Sequence, residues 1–301
     1  MTTATSTPAR TQRTHSLSKF ADKKLSFFGV IRSEFLKFRT LTTNWVMTLI
    51  IGVVMIGLAL MLGLSLNSFF DSMKEQADAA AAAAGPGAPA MSMDQISNYA
   101  HQLGASGIDL ANMLVGSIAV VFIGSEYATR SIQTTITAVP KRSMAYLAKF
   151  VVLSVISFVM GFIFAAASYF IGSLLLRSEI RDAAPFESGV WLNWLAVAIY
   201  FMFMAWMGLG FGALLRNNAG GIMMVVVLFL IMPIVLNLLG LGFDWVNDFL
   251  PYTPANLGST MYSYAKPEGD LTQVEAGWWL ALWSIVPAIL GYLRFVFTDT
   301  K

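Results

Sequence analysis

The stretch Glu126–Lys149, EYATRSIQTTITAVPKRSMAYLAK, decides how this chain is read. It is polar and basic, too long for a tight turn, and joins the apolar run Leu110–Ser125 to the apolar run Phe150–Leu176. Within it, Ser131–Val139 alternates hydroxyl and aliphatic side chains, so one side can face a membrane. Pro140 stops that element and Lys141-Arg142 follow as a basic corner. Ser143 is placed to cap a new helix that runs through Lys149 into the next apolar run. The expectation is a rigid helix–proline–helix corner held beneath a bilayer.

The rest of the chain supplies the bilayer. Of its 301 residues 56% are hydrophobic and 12% charged, about half the charged share of an ordinary soluble domain. Mean hydropathy is +0.66. A helix needs roughly 20 apolar residues to cross the hydrocarbon core. Six runs approach or exceed that length: Trp45–Leu66, Leu110–Ser125, Phe150–Leu176, Val190–Leu215, Ala219–Leu241 and Gly277–Leu293. The second is short and borrows turns from Ser106–Asp109. None alternates in polarity as a barrel strand does, so helices are the spanning form.

Charge then orients the spans. Of the 19 Lys and Arg, only Lys74, Arg177, Arg181 and Lys266 fall in the alternate loops that would lie outside, together with thirteen of the 17 Asp and Glu. Positive charge stays on the cytoplasmic side. The fold class expected is therefore an all-α membrane protein with six transmembrane helices and both termini cytoplasmic. Lys24–Thr40, with apolar residues at Leu25, Phe28, Ile31, Phe35 and Phe38 and basic residues largely off that stripe, predicts an amphipathic interfacial helix before the first span. The organisation that follows is a disordered tail over 1–23, a transmembrane domain over 24–298, and a short tail over 299–301. Its spans lie near 45–66, 106–125, 150–176, 190–215, 219–241 and 277–296, with outer loops 67–105, 177–189 and 242–276. The polar, basic first 43 residues do not read as a cleavable signal peptide.

In the first outer loop the alanine run predicts a short helix, GPGAP breaks it, and a second helix near MDQISNYAHQL leads into span two. The loop 242–276 is rich in aromatics and proline; Trp245, Tyr252, Tyr262 and Tyr264 suit the headgroup level. The loop reads equally as short broken helices dipping into the membrane and as a surface loop with aromatic anchors.

The six runs contain no Asp, Glu, Lys, Arg or His. That argues against a proton relay, which needs titratable groups near mid-membrane, and against the charged rings that many selective channels carry. It also argues against an intramembrane enzyme, since no metal-spaced cluster or nucleophile–base pair is visible. His15 and His101 read as solvated surface residues. There are no cysteines, which excludes thiol chemistry, and no G-x-x-x-x-G-K-[ST], so the chain has no P-loop of its own. Asn112, Asn193 and Asn237 within spans read as interhelical hydrogen-bonding groups. Gly208 and Gly212, four apart, permit close helix approach, by default within the subunit and alternatively at a dimer seam. Pro233 and Pro287 allow kinks.

Three places resemble a known family. Ser33-Glu34-Phe35-Leu36-Lys37-Phe38-Arg39-Thr40 is similar to an E-x-x-K-x-R-T opening before span one. Glu126-Tyr127 through Thr134-Thr135, then Ala138-Val139-Pro140-Lys141-Arg142 and Ala148-Lys149, resembles the run E-Y-R-x-G-T-I, x-T-x-L-x-x-x-P-x-R, A-K. Leu215-Arg216-Asn217-Asn218-Ala219-Gly220 and, later, Leu250-Pro251 recur in the same group. Together they resemble the ABC-2 type permease, the six-helix membrane subunit of a bacterial ABC exporter, over residues 24–298. The chain departs from the pattern at Ala128, where the family has Arg, at Arg130, where it has Gly, and at Ser131, where it has Thr.

The resemblance implies a half-transporter in the bacterial cytoplasmic membrane. Two permease subunits, identical or paralogous, would work with two ATPase (nucleotide-binding) subunits that hold the ATP and Mg; this chain would hold no cofactor and bind no nucleic acid. Contact with the ATPase would fall on Glu34, Lys37, Arg39, Glu126, Tyr127, Arg130, Pro140, Lys141, Arg142 and Lys149. Spans two and five would line the path of a hydrophobic or amphipathic cargo (lipid, peptide or drug-like) at Asn112, Val115, Ala119, Met224, Leu228 and Met232. The alternative reading is a membrane anchor or sensor that recruits a cytosolic partner and transports nothing.

Overall fold

The computed structural model describes residues 26–84, 93–139, 141–264 and 271–298. Pro140, the GPGAP break, the two tails with His15, and Lys266 lie outside them. Among the described residues every element is helical, and six segments are long and apolar enough to cross a membrane: Thr42–Ala79, Asp94–Ala128, Arg142–Ser173, Ser188–Leu215, Asn218–Gly240 and Gln273–Phe297. The chain is a multi-pass α-helical membrane protein.

α1 (Phe27–Thr40) breaks at Leu41, whose backbone is extended, and α2 (Thr42–Ala84) begins at once. The Asn44 carboxamide ties the two by donating to the Phe38 carbonyl at 3.1 Å. α2 does not end where the hydrocarbon would. Its 43 residues make a helix of roughly 64 Å at 1.5 Å per residue, because the alanines that follow the span are the best helix formers and nothing interrupts them. The separate helix expected in the first outer loop is thus an extension of span one. Asn67 and Asp71 on α2 hold the turn after span three: Asn67 donates to the Leu175 carbonyl at 2.7 Å and Asp71 pairs with Arg177 at 2.6 Å.

Span two is composite. α3 (Asp94–His101) and a 3₁₀ turn (Gln102–Ala105) lead through Gly107, at φ 79°, into α4 (Ile108–Ala128). A Cβ at Gly107 would meet the Val54 carbonyl at 3.1 Å and Met55 Cα at 3.2 Å, so both the conformation and the approach to α2 require glycine there. α5 (Ser131–Ala138) and α6 (Arg142–Ser173) follow, then the short α7 (Ser178–Ala183) and α8 (Ser188–Leu215). Lys141, not Ser143, occupies the N-cap position of α6, without a side-chain cap. Span five comprises α9 (Asn218–Val226), a π-helical turn (Val227–Ile231) and α10 (Met232–Gly240). The π turn falls just ahead of Pro233, whose missing N–H and bulky ring spoil the regular ladder. α11 (Asp244–Phe249), a 3₁₀ turn at Leu250–Tyr252 and α12 (Pro254–Tyr262) precede α13 (Gln273–Phe297), so the described part of the loop is made of short broken helices.

α8 is apolar around its circumference, as suits the most buried helix of a bundle: 72% of its most apolar window is buried against 11% for span five. α4, α6 and α13 pack around it. Lipid tails are as apolar as leucine, so helices associate in a membrane through close packing rather than hydrophobic exclusion. Glycines provide that closeness. A Cβ at Gly208 would lie 2.1 Å from the Gly116 carbonyl oxygen of α4, and one at Gly212 would lie 2.6 Å from Ile123. Gly210 sits on another side of the helix, where a Cβ would lie 2.3 Å from the carbonyl carbon of Pro287 in α13. The glycine pair therefore packs within the subunit.

Gly208→Ala should destabilise the protein by about 1–3 kcal/mol, the cost of forcing an extra methyl into a tight seam. Gly57 on α2 has nothing within 4 Å of an added Cβ, so Gly57→Ala should be neutral or stabilising by up to about 1 kcal/mol. Melting temperatures of the two variants in detergent check the contrast.

Candidate functional site

At one end of the bundle the turns carry most of the basic residues, and there four charged side chains from three helices meet. Val30, Glu34 and Phe38, spaced four apart, form the buried face of α1. Phe28, Phe35 and Leu36 point away and are exposed, so α1 carries a second apolar face beside the packed one, rather than the single stripe expected. Glu34 reaches Lys149 on α6, with Oε2 2.5 Å from Nζ. Lys149 also meets Glu126 Oε1, at the end of α4, at 2.6 Å. Lys37, one helical turn after Glu34, closes the set at 2.6 Å from Glu34 Oε1 and 3.0 Å from Glu126 Oε1. Thr135 of α5 accepts a further hydrogen bond from Lys37 at 3.2 Å.

The cluster has two ammonium and two carboxylate groups, so its formal charge is zero. Lys149 is fully buried and the Glu34 and Glu126 side chains are 2% and 9% exposed. The Lys149 ammonium also lies 4.7 Å from the centre of the Phe122 ring, whose face attracts a cation. Burial pulls the Lys37 ammonium down, but the hydrogen bond to Glu34 and the charge of Glu126 more than offset this and hold it above its ordinary value.

α5 packs through Ile132, Thr135 and Val139, a helical i, i+3, i+7 face. The hydroxyl–aliphatic alternation in the sequence is compatible with that face but does not reveal it. Between α1 and α5 lies an open cleft of about 550 Å³ lined by Ser26, Gly29, Ser33, Lys37, Thr134 and Ala138 among others. Arg130, ahead of α5, has φ 56°, in the left-handed region that favours glycine. Arg216, after α8, has φ 53°, and Asn217 next to it caps α9 by accepting from the Ala219 and Gly220 amides. Arg142 and Arg216 both donate to the carbonyl of Thr298, at 3.5 and 3.1 Å, and so cap the negative end of α13. Arg216 also lies over the Tyr127 ring at 5.5 Å.

Of the residues expected to meet a partner, Glu34, Glu126 and Lys149 turn inward and bind one another. Arg39, Arg130 and Lys141 are exposed, while Lys37, Tyr127 and Arg142 are half-buried. The cargo-path residues do not converge on one cavity. Asn112, Val115 and Ala119 are buried, with Asn112 donating to the Tyr200 hydroxyl at 2.9 Å. Met224 and Leu228 line an apolar groove of about 760 Å³ with Trp279, Trp283 and Pro287, and Met232 is half-buried on α10.

Two other expectations need correction. Asn237 bonds within its own helix, its carboxamide donating to the Pro233 carbonyl at 2.7 Å. His101 is not solvated: it is 4% exposed, stacks on Tyr264 at 4.2 Å and bonds the Pro185 carbonyl at 3.0 Å. At the same end Tyr262 donates to Asp109 at 3.0 Å, a pairing across 153 residues that no local signal announces. Compared with known proteins, the chain matches no family model and no curated sequence.

Lys149→Met should cost about 3–5 kcal/mol, because Glu34 and Glu126 are left facing each other with only the half-buried Lys37 between them. Adding Glu34→Gln and Glu126→Gln should recover most of that loss. Arg130→Gly should stabilise by about 1 kcal/mol through relief of its left-handed backbone. Thermal unfolding of the purified variants in detergent reads all three.

Proposed function

We propose that this chain is the membrane-spanning permease subunit of an ATP-binding-cassette exporter of the ABC-2 type. It moves a hydrophobic or amphipathic cargo across the bacterial cytoplasmic membrane with energy from ATP hydrolysed by a separate subunit. Both termini and the basic end face the cytoplasm, and α1 lies in the inner membrane interface with Phe28, Phe35 and Leu36 toward lipid.

The observation that carries this reading is the buried link from Lys149 to Glu34 and Glu126. It makes α1, the end of α4 and the start of α6 one mechanical unit, and the cleft between α1 and α5 opens beside it. A protein that wedges into that cleft would move both spans. The described part of the motif run also has local geometry that suits the resemblance, since Arg130 stands where the family has glycine and adopts a glycine-like φ of 56°. Span five, the least covered by its own chain, is the surface offered to a second permease or to lipid.

Thr134 and Ala138 line the cleft one helical turn apart on α5 and are exposed. Ala138→Trp should therefore block the partner ATPase subunit from co-purifying, while the melting temperature of the purified permease stays unchanged. Lys141→Ala should leave the complex intact and uncouple ATP turnover from export. An ATPase that co-purifies equally with Ala138→Trp would remove the docking assignment. ATP turnover that never responds to cargo would favour the anchoring role.

A further inference from the structure

At the opposite end of the bundle a groove of about 800 Å³ runs between α8 and α13 and reaches the residues that follow α12. Its lining spans Glu187 to Trp206 on one side and Gln273 to Ile285 on the other, lengths of roughly 28 and 18 Å along the helices. One end is polar, with Glu187, Asn193, Tyr264 and Gln273; the other is apolar, with Ile199, Phe203, Trp206 and Ile285. That long shape, polar at the loop end and apolar toward mid-membrane, matches one phospholipid standing in one leaflet.

The polar end also specifies a headgroup. Its donor groups each have a protein partner: Asn193 Nδ2 the Tyr262 carbonyl, Gln273 Nε2 the Ser263 carbonyl, and the Tyr264 hydroxyl Glu187 at 3.4 Å. Its acceptors keep capacity beyond those bonds. Glu187 is the charged residue of the described lining and is exposed. Asn193 is only 5% exposed, and its Oδ1 has no hydrogen-bond partner among the described residues. A buried acceptor left unmade is costly, and a ligand that completes this site must bring N–H donors and positive charge. A primary ammonium has three such donors; a quaternary ammonium has none.

We propose that this groove is a binding site for one amine-headed phospholipid of the phosphatidylethanolamine type. The ammonium lies at Glu187 and Asn193, and an acyl chain runs between α8 and α13. The site does not depend on whether the chain exports anything. The full chain is reconstituted in nanodiscs holding equal amounts of phosphatidylethanolamine, phosphatidylcholine and phosphatidylglycerol with identical tails, and retained lipid is counted by native mass spectrometry. One phosphatidylethanolamine per chain should be retained, favoured about fivefold or more over the other two, the size expected of a charge-assisted hydrogen bond. Glu187→Gln should remove most of that preference, and Ala196→Trp, which fills the groove, should remove retention of all three. A tail-labelled photoreactive phosphatidylethanolamine should mark 192–206 and 273–285 in the unaltered chain, a readout independent of how the variants fold. Equal retention of the three lipids, better retention of phosphatidylglycerol, an unchanged preference in Glu187→Gln, or labelling confined to other segments would overturn the proposal.

Discussion

The Lys149 ammonium, buried between the carboxylates of Glu34 and Glu126, is the interaction on which the basic end of this protein depends. A lone charge in that position would be prohibitive, and a lysine with a single partner would still be poorly compensated. Two carboxylates within 2.6 Å, a second lysine bridging the same carboxylates and an aromatic face below together make the burial tolerable. The two carboxylates come from different helices and Lys149 from a third, so the charges can be satisfied only when α1, α4 and α6 are correctly placed. Buried ion clusters of this kind are rarely the most stabilising solution, since apolar side chains of the same shape often do as well. What they add is directionality. An apolar face on α1 could slide or roll on α6, whereas Glu34 with its two oxygens on two lysines cannot.

That constraint complements the packing above it. Within the membrane, α8 is held by shape through glycines fitted against α4 and α13, with little polar chemistry. At the basic end, where the chain turns and backbone groups emerge, charge takes over: the buried cluster fixes α1, and Arg142 and Arg216 cap the last carbonyls of α13. Shape and charge thus divide the molecule by depth. The least covered element, span five, belongs to neither regime within this chain. Its regular ladder is also broken by the π turn before Pro233.

How far this was legible in the sequence follows from the same division. Apolar length is a local property, so the six spans could be read directly. Their internal detail could not. The alanine run after span one was a correct helix signal assigned to a separate element, because nothing local says whether a helix continues past the membrane. The alternation in Ser131–Val139 concealed a helical face, since nine residues fit both periods. Glu34, Lys37, Glu126 and Lys149 were each singled out, though not as contacts of one another. Spacing along the chain cannot reveal that residues 115 apart, such as Glu34 and Lys149, neutralise one another. The same blindness made His101 a surface residue and left Asp109 and Tyr262 unpaired.

Arg130 and Arg216 make the complementary point. A sequence reader treats an arginine near a membrane as charge, and both were counted that way in orienting the spans. The backbone treats them as turns. Both adopt left-handed conformations that glycine would occupy without strain, one before α5 and one after α8, at the two places where the chain must reverse beneath the bundle. Arg216 also bonds the end of α13, so its side chain does work that a glycine could not. Arg130 is exposed and shows no side-chain contact among the described hydrogen bonds and ion pairs, so its strained backbone has no visible structural compensation. Strain retained without a structural return is more often found at functional sites than elsewhere. Arg130 lies beside the cleft-forming helix α5, on its exposed edge.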